Sequence, residues 1–469
     1  MEGLKVFINR LAERMVISLS LVFISLIAIA NFLFMGKNLI SDSISNIFIV
    51  LLIIIFSIFA IMASLKIKDN RKYGLVLFAV SIIIRILWIF IIKTEPIQDF
   101  KIMYEGGMDI SLGNYEKLIE SYYFSSWVYQ LGFTTYLSLF FILFNNPLVA
   151  AKVVNVLIVS GIPVLLYFII KKLNSEKSAR ICSMFYALYF GSVAYTSVLT
   201  NQHIPTLLIY LSIYIVLNKF NNKWGFVVAG FLIAIAQIIR PEGNIVLLAL
   251  MLFLIFKNFS ADRDYFIRLG KLIGIVLIFF VIINMFSNFL INQGITKYKY
   301  ENRDPLWKVV TGLNYDTVGS YSLEDDELLY GLPLEDKKEI EVKLIKERIS
   351  NPKELAILIG KKFLIFWGGN DNLLEAIYTN ADQYESYNNI SMSLEKLQYT
   401  IITIFMAIGA YSLYRKKKFS NSYVFLIIFI GYVLAHFIIE IQARYRYFII
   451  PSMIIISSYG IEKLIKNNK

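Results

Sequence analysis

The sequence predicts an all-α polytopic membrane protein, one domain built on a bundle of about twelve transmembrane helices, and three observations carry that expectation. The 469 residues are 57% hydrophobic, above the roughly 45–50% of soluble domains, and the mean hydropathy is +0.63. Apolar runs long enough to cross a hydrocarbon core of about 30 Å recur from end to end. Short basic clusters separate those runs and all fall on one side of the resulting map, the pattern of cytoplasmic loops.

The runs lie at 15–35, 46–65, 74–92, 148–170, 179–199, 204–217, 226–239, 244–256, 271–290, 397–414, 421–438 and 447–460. Between them stand Lys5/Arg10/Arg14, Lys66/Lys68/Arg71/Lys72, Lys171/Lys172/Lys177/Arg180, Lys219/Lys223, Lys257/Arg263/Arg268/Lys271, Arg415 to Lys418 and Lys463/Lys466/Lys469. These segments hold 24 of the 46 Lys and Arg but only 7 of the 34 Asp and Glu. The positive-inside rule therefore puts both termini in the cytoplasm and the remaining 27 acids at or beyond the outer boundary. The net charge of +12 is a topology signal in this reading and calls for membrane lipids, not nucleic acid, as partners.

One condition follows from the map. The apolar stretch from Trp127 to Phe144 must not cross, or Lys171 to Arg180 would lie outside. It is expected to lie along the outer surface, and the amphipathic segment Pro352 to Trp367, with Lys361 and Lys362, is expected to lie in the interface in the same way. The chain then divides into two N-terminal spans (1–70), a first outer loop with its surface helix (93–147), a large outer loop (291–396) and C-terminal spans (397–469). A loop of that size suggests function. Cys182 has no partner in the chain, which rules out an internal disulfide. No cleavable leader is expected, because the first run lacks a small-residue cleavage site and further spans follow at once.

Chemistry-bearing residues concentrate on the outer side. In the first loop, Pro96 biases Glu95 to an extended conformation and ends the span, which holds Asp99 about one turn beyond the helix end, near headgroup level. A carboxylate there can take a proton from an attacking hydroxyl while a lipid phosphate lies within reach. An Asp at the start of a helix also suits capping, and both roles fit. Arg240-Pro241-Glu242-Gly243 splits an apolar stretch into pieces too short to cross a core of about 30 Å comfortably at 1.5 Å per residue. Interrupted apolar segments point to binding sites, and an Arg there is a functional candidate, although an Arg240–Glu242 structural pair would look the same. Arg444-Tyr445-Arg446-Tyr447 puts two arginines on the outer side against the charge trend, where a lipid phosphate or a phospholipid headgroup would match the guanidinium fork.

Arg85 lies inside a span and needs a partner or must snorkel. His203 and His436 are too far apart for a zinc motif and are read as polar packing residues. The acidic run Glu324 to Glu327 is read as a solvated face. Nucleotide and hydrolase fingerprints are absent. No cofactor is required, and a divalent metal, although compatible with the outer acids, finds no motif.

Taken in order, the acid after a span, the surface helices, the Arg-Pro-Glu-Gly turn and the late Arg-Tyr-Arg-Tyr segment resemble bacterial glycosyltransferases of the GT-C superfamily. The closest resemblance is to the family 39 protein mannosyltransferase and aminoarabinose transferase group, over roughly residues 70–469. The stretch Thr311 to Asp325, with Asn314 and Glu324, resembles an outer-loop signature of Gram-positive members. The resemblance implies a GT-C-like bundle with outer juxtamembrane helices and a mixed outer loop domain. It also implies transfer of a sugar from a polyprenyl-phosphate carrier to a cell-envelope glycan, lipid or protein on the outer face of the plasma membrane. Asp99 maps to the catalytic acid of that group. Lys101, Arg240, Arg444 and Arg446 are candidates for the donor phosphate, and Tyr104, Glu242, Asn314 and Glu324 for acceptor or sugar. Many members carry an adjacent Asp-Glu pair, whereas Phe100 follows Asp99 here. Two other classes share the composition: a lipid-linked glycan polymerase or ligase, and a transporter or flippase, for which charges deeper in the spans would be expected.

Overall fold

A computed structural model describes residues 2–39, 44–219, 222, 224–257, 263–370, 385–416 and 419–467. Among the described residues the chain is helical with no strand, an all-α polytopic membrane protein. Of the basic clusters above, Lys223, Lys417, Lys418 and Lys469 lie outside the described residues.

The first three helices are α1 (Glu2–Leu39), α2 (Ile44–Leu65) and α3 (Asn70–Ile91). Four short helices follow, α4 (Gln98–Leu112), α5 (Tyr115–Glu120), α6 (Tyr122–Ser126) and α7 (Leu131–Leu143), with a 3-10 turn at Val128–Gln130 before the last. The chain re-enters the bundle through α8 (Pro147–Leu173), α9 (Glu176–Ala187) and α10 (Phe190–Ala194), then α11 (His203–Lys219), α12 (Gly225–Ile239), α13 (Gly243–Phe256) and α14 (Arg263–Asn292). The large loop carries α15 (Trp307–Gly312), α16 (Leu323–Leu329), α17 (Leu334–Ile349) and α18 (Pro352–Gly368). The chain closes with α19 (Glu385–Lys416), α20 (Tyr423–Ile438), a 3-10 turn at Ala443–Phe448 and α21 (Ile450–Asn467).

Among the described residues six helices are long and apolar enough to cross a membrane, and five shorter apolar helices accompany them. Large apolar side chains stay exposed along α1, α2, α3 and α14. Lipid is the solvent for such a surface, because a helix satisfies its own backbone polar groups. Two expectations need correction. The run 179–199 is not one span: α9 ends at Ala187, and α10 and a 3-10 turn at Tyr195–Ser197 continue it. The regular elements of the large loop are helices, joined by turns and bends at 293–306 and 313–322, and no strand makes it mixed among the described residues.

The main apolar core joins α1, α3, α8, α9, α11 to α14 and α18 to α21, with smaller clusters beside it. Its tightest seam is α19 against α21, where a Cβ on Gly409 would sit 2.2 Å from the Ile456 carbonyl oxygen and one on Gly460 would sit 2.3 Å from that of Phe405. Only glycine lets the two backbones meet there. The Asn31 amide of α1 donates to the Trp367 carbonyl at 2.7 Å and accepts from Lys396 at 2.7 Å. That pairing binds the first helix to α18 and α19.

Inside α3, Arg85 is fully buried and does not snorkel. Its guanidinium donates to the Ser81 hydroxyl (2.6 Å), the Ala187 carbonyl (3.1 Å) and the Ser192 hydroxyl (2.9 Å). These bonds pin the break after α9 to α3. Thr94 donates to the Ser197 carbonyl at 2.5 Å, and Lys152 donates to both the carbonyl and the hydroxyl of Thr94. The segment leading into Asp99 therefore rests on α8 and on the 3-10 turn before α11.

Candidate functional site

Asp99 opens α4. Its placement depends on Gln98, whose φ of +48° lies in the left-handed region. For a residue with a side chain such a conformation costs on the order of 1–3 kcal/mol and persists only where the surroundings enforce it. Here the Ile97 carbonyl accepts from Phe100 N (3.1 Å) and Lys101 N (3.2 Å), closing the first turn around the strained residue. The helix has no side-chain cap bond at its start, so Asp99 does not cap it.

The Asp99 side chain is 49% exposed, and the nearest charge is the Arg444 guanidinium at 3.9 Å. That is an ion pair beyond hydrogen-bond reach, so the carboxylate is free to accept a proton. Arg444, itself 22% exposed, stacks over the rings of Phe100 (5.2 Å) and Tyr445 (5.8 Å). Its buried Nε has no hydrogen-bond partner.

Tyr445 is the hub of the arrangement. Arg240 lies 5.4 Å and Lys308 6.0 Å from its ring centre, so three cations surround one aromatic ring. Each cation has its own acid. Arg240 donates to Glu242 at 2.7 Å and to the Asn201 side chain at 2.7 Å. Lys308 donates to Glu440, which also accepts from Gln442 at 2.6 Å. Burial alone would raise the Glu440 carboxyl, but the Lys308 ammonium and the bonds from Lys308 and Gln442 hold it below the usual carboxylate range. Burial works against the Lys308 ammonium in turn, and Tyr445 and Glu440 keep it firmly charged.

Glu242 Oε2 is buried without a partner, as are both side-chain atoms of Gln202 and the hydroxyls of Thr200 and Tyr123. Buried polar atoms normally find partners. Those at Thr200, Gln202, Glu242 and Tyr123 lie in or beside the segments that carry Asn201, Arg240 and Asp99.

The geometry sorts the residues singled out from sequence. Asp99, Arg240, Glu242 and Arg444 come together around Tyr445. Arg446 does not: it is buried, donates to the Gly369 carbonyl at 3.1 Å and lies 4.7 Å from the Tyr399 ring centre. Lys101 sits on the exposed side of α4, 3.8 Å from Glu105. Tyr104 packs on Phe141 at 4.8 Å. The Asn314 side chain organises its own turn, accepting from Asp316 N and Thr317 N at 3.0 Å each and donating to Asp325 at 2.9 Å. Glu324 is exposed in the first turn of α16. Lys308, Asn201, Glu440 and Tyr445 are the members that the sequence reading gave no role. Only Tyr445 carried a signal, its place between two arginines.

Both histidines are buried and bonded. His203 lies between the Tyr447 hydroxyl (2.9 Å) and the Tyr195 carbonyl (3.0 Å), and His436 donates to the Tyr432 carbonyl at 2.7 Å. No group of three or more His, Cys, Asp and Glu among the described residues is arranged to hold a metal ion.

The family described as dolichyl-phosphate-mannose-protein mannosyltransferase matches residues 132–286, about a third of the chain. The matched part runs from α7 to α14 and contains Asn201, Arg240 and Glu242; Asp99, Lys308 and Arg444 lie outside it. The match supports a membrane glycosyltransferase of the GT-C type that draws on a lipid-linked sugar donor. No curated protein matches the chain.

Proposed function

We propose that this chain transfers a sugar from a polyprenyl-phosphate carrier to a hydroxyl of a cell-envelope acceptor, on the outer face of a bacterial plasma membrane and with inversion. One observation carries the reading. A half-exposed carboxylate that accepts no hydrogen bond among the described residues stands 3.9 Å from an arginine that belongs to a ring of three cations. A base and an anion site lie side by side, as a single displacement requires.

Asp99 takes the proton of the acceptor hydroxyl as its oxygen bonds to the anomeric carbon. The electron pair of the broken C–O bond leaves with the carrier phosphate. Arg444, Lys308 and Arg240 face the charge that develops there and stabilise it as positive charges already held in place. Arg444 is the most available of the three, since its guanidinium makes no hydrogen bond among the described residues and its pair with Asp99 is loose. Arg240 is tethered to Glu242 and Asn201 and orients the pocket as well as charging it. Polyprenyl phosphate is itself a competent leaving group, so the protein needs to supply position, a base and positive charge. Of the competing classes, a transporter would place its charges in a central cavity; here the three acid–base pairs gather at one end of the helices, which favours chemistry at that end.

The test is a deletion strain whose envelope glycans are read by mass spectrometry. Wild-type protein restores a missing glycan species, and Asp99→Asn at equal abundance does not. Restoration by Asp99→Asn overturns the assignment of the base.

A further inference from the structure

The 3-10 turn at Val128–Gln130 precedes the matched region, and sequence gave Tyr129 no role. The structure fixes this residue from two sides. The Tyr300 hydroxyl lies 2.8 Å from the Tyr129 carbonyl and 2.5 Å from the Ile238 carbonyl, so it ties the turn to the end of α12, two residues before Arg240. The approach is close enough that a Cβ on Gly132 would lie 1.7 Å from the Ile238 oxygen; only glycine permits the contact. Tyr129 is thereby held against the arginine turn by backbone, independent of its own side chain.

Its hydroxyl makes no hydrogen bond among the described residues. The charged and titratable groups that act on it are Lys308, Tyr445, Arg240 and Asp99, members of both halves of the site. Burial raises its pKa to about 12, so it carries its proton at any physiological pH. With its backbone tied two residues before Arg240, and with Lys308, Tyr445, Arg240 and Asp99 the groups whose charge acts on it, this hydroxyl brings a proton donor to the two halves of the site.

We propose that Tyr129 donates a hydrogen bond to the phosphate oxygen that departs from the sugar. The inference rests on the donor reading above and names one more group in direct contact with the reacting atoms. As the acceptor oxygen bonds to the anomeric carbon, its proton passes to Asp99 and the C–O pair leaves on the phosphate. Tyr129 keeps its own proton and shares it with the oxygen that gains charge.

Polyprenyl monophosphate, the product that carries this oxygen, is the probe. It is titrated into the purified full chain in detergent, for wild type, Tyr129→Phe and Arg444→Gln, with thermal midpoints recorded in parallel. A hydrogen bond to a charged acceptor contributes about 1.5–3 kcal/mol, so Tyr129→Phe weakens binding at least about tenfold while the thermal midpoint holds. Wild-type affinity in Tyr129→Phe alongside weakened Arg444→Gln overturns the inference and leaves the donor reading standing. Wild-type affinity in both variants removes the donor reading as well. A marked drop in the midpoint of Tyr129→Phe also overturns it, because the hydroxyl then has a structural partner.

Discussion

Lys362 of α18 offers a perturbation whose size can be worked from geometry. The residue is fully buried, and its ammonium donates to the carbonyls of Gly312 (2.6 Å), Phe437 (3.2 Å) and Ile439 (3.0 Å). One cation thus gathers the end of α15 and the end of α20, the segments that carry Lys308 and Glu440. Burial pushes its pKa down to about 8, opposed by Glu440, so it is mostly charged at neutral pH. Lys362→Met keeps the length of the side chain and leaves three buried carbonyls without a donor. Each bond to a charged group contributes about 1.5–3 kcal/mol. The ammonium no longer has to be desolvated, which returns part of that sum, and a net loss of about 3–5 kcal/mol is the usual outcome when one side of a buried charged contact is removed. Unfolding entropy of about 2.1 cal/mol/K per residue converts this to a fall of roughly 3–5 °C in thermal midpoint for a chain of this size. Differential scanning fluorimetry in detergent reads the shift, and Lys361→Met on the same helix is the control, expected within 1 °C or so by the small effect of surface changes. An unchanged midpoint in Lys362→Met refutes the claim that these carbonyls depend on the ammonium.

Two further outcomes follow from charge pairs. Burial and the neighbouring Asp304 raise the Glu341 carboxyl to about 8, while Lys337 donates to Asp304 at 2.6 Å. The folded state therefore binds a proton that the unfolded state releases near the ordinary carboxyl value of 4.5, and stability declines as pH rises from that value through about 8. Glu341→Gln flattens this limb of the thermal-midpoint profile, and a slope equal to that of wild type contradicts the pairing. For Arg240, the single variant Arg240→Gln loses stability by leaving Glu242 buried and unpaired, on the order of 3 kcal/mol. Arg240→Gln/Glu242→Gln recovers much of that while donor binding stays weak; recovery of donor binding together with stability would make the pair purely structural.

How far the sequence reaches depends on what each property is encoded by. Span positions rest on hydrophobicity summed over some twenty residues, and the helices duly coincide with the apolar runs. The exception, the run 179–199, is broken where Arg85 donates to the Ala187 carbonyl, a contact 102 residues distant in the chain that leaves no mark on hydropathy. The same distinction applies to the site. Asp99 and the Arg240 turn were visible because Pro96 and Pro241 interrupt apolar runs beside them. Of the two late arginines the sequence favours Arg446 for the donor phosphate, yet Arg444 is the one beside Asp99, because nothing in so short a segment shows which way each side chain points. The 3-10 turn separates them: with about three residues per turn, side chains two apart point to different faces, one towards Asp99 and the other into the bundle. Lys308 and Tyr129 reach Tyr445 from segments more than a hundred residues away, and no local pattern announces them. Asn314 and Glu324 belong to a conspicuous sequence stretch, yet the conspicuous residues shape a turn and a helix start, and the charge that reaches the cluster comes from Lys308 just upstream.

The central claim, that Asp99 is the base for transfer from a lipid phosphate, is tested most directly by release of polyprenyl monophosphate from a lipid-linked sugar pool extracted from the deletion strain. Purified wild-type protein is mixed with that pool and the envelope acceptor fraction, and released carrier is quantified by mass spectrometry. The account predicts that Asp99→Asn, with an unchanged thermal midpoint, releases carrier about 10²–10⁴ times more slowly, the range that a general base contributes. Release at the wild-type rate by a folded Asp99→Asn protein contradicts it.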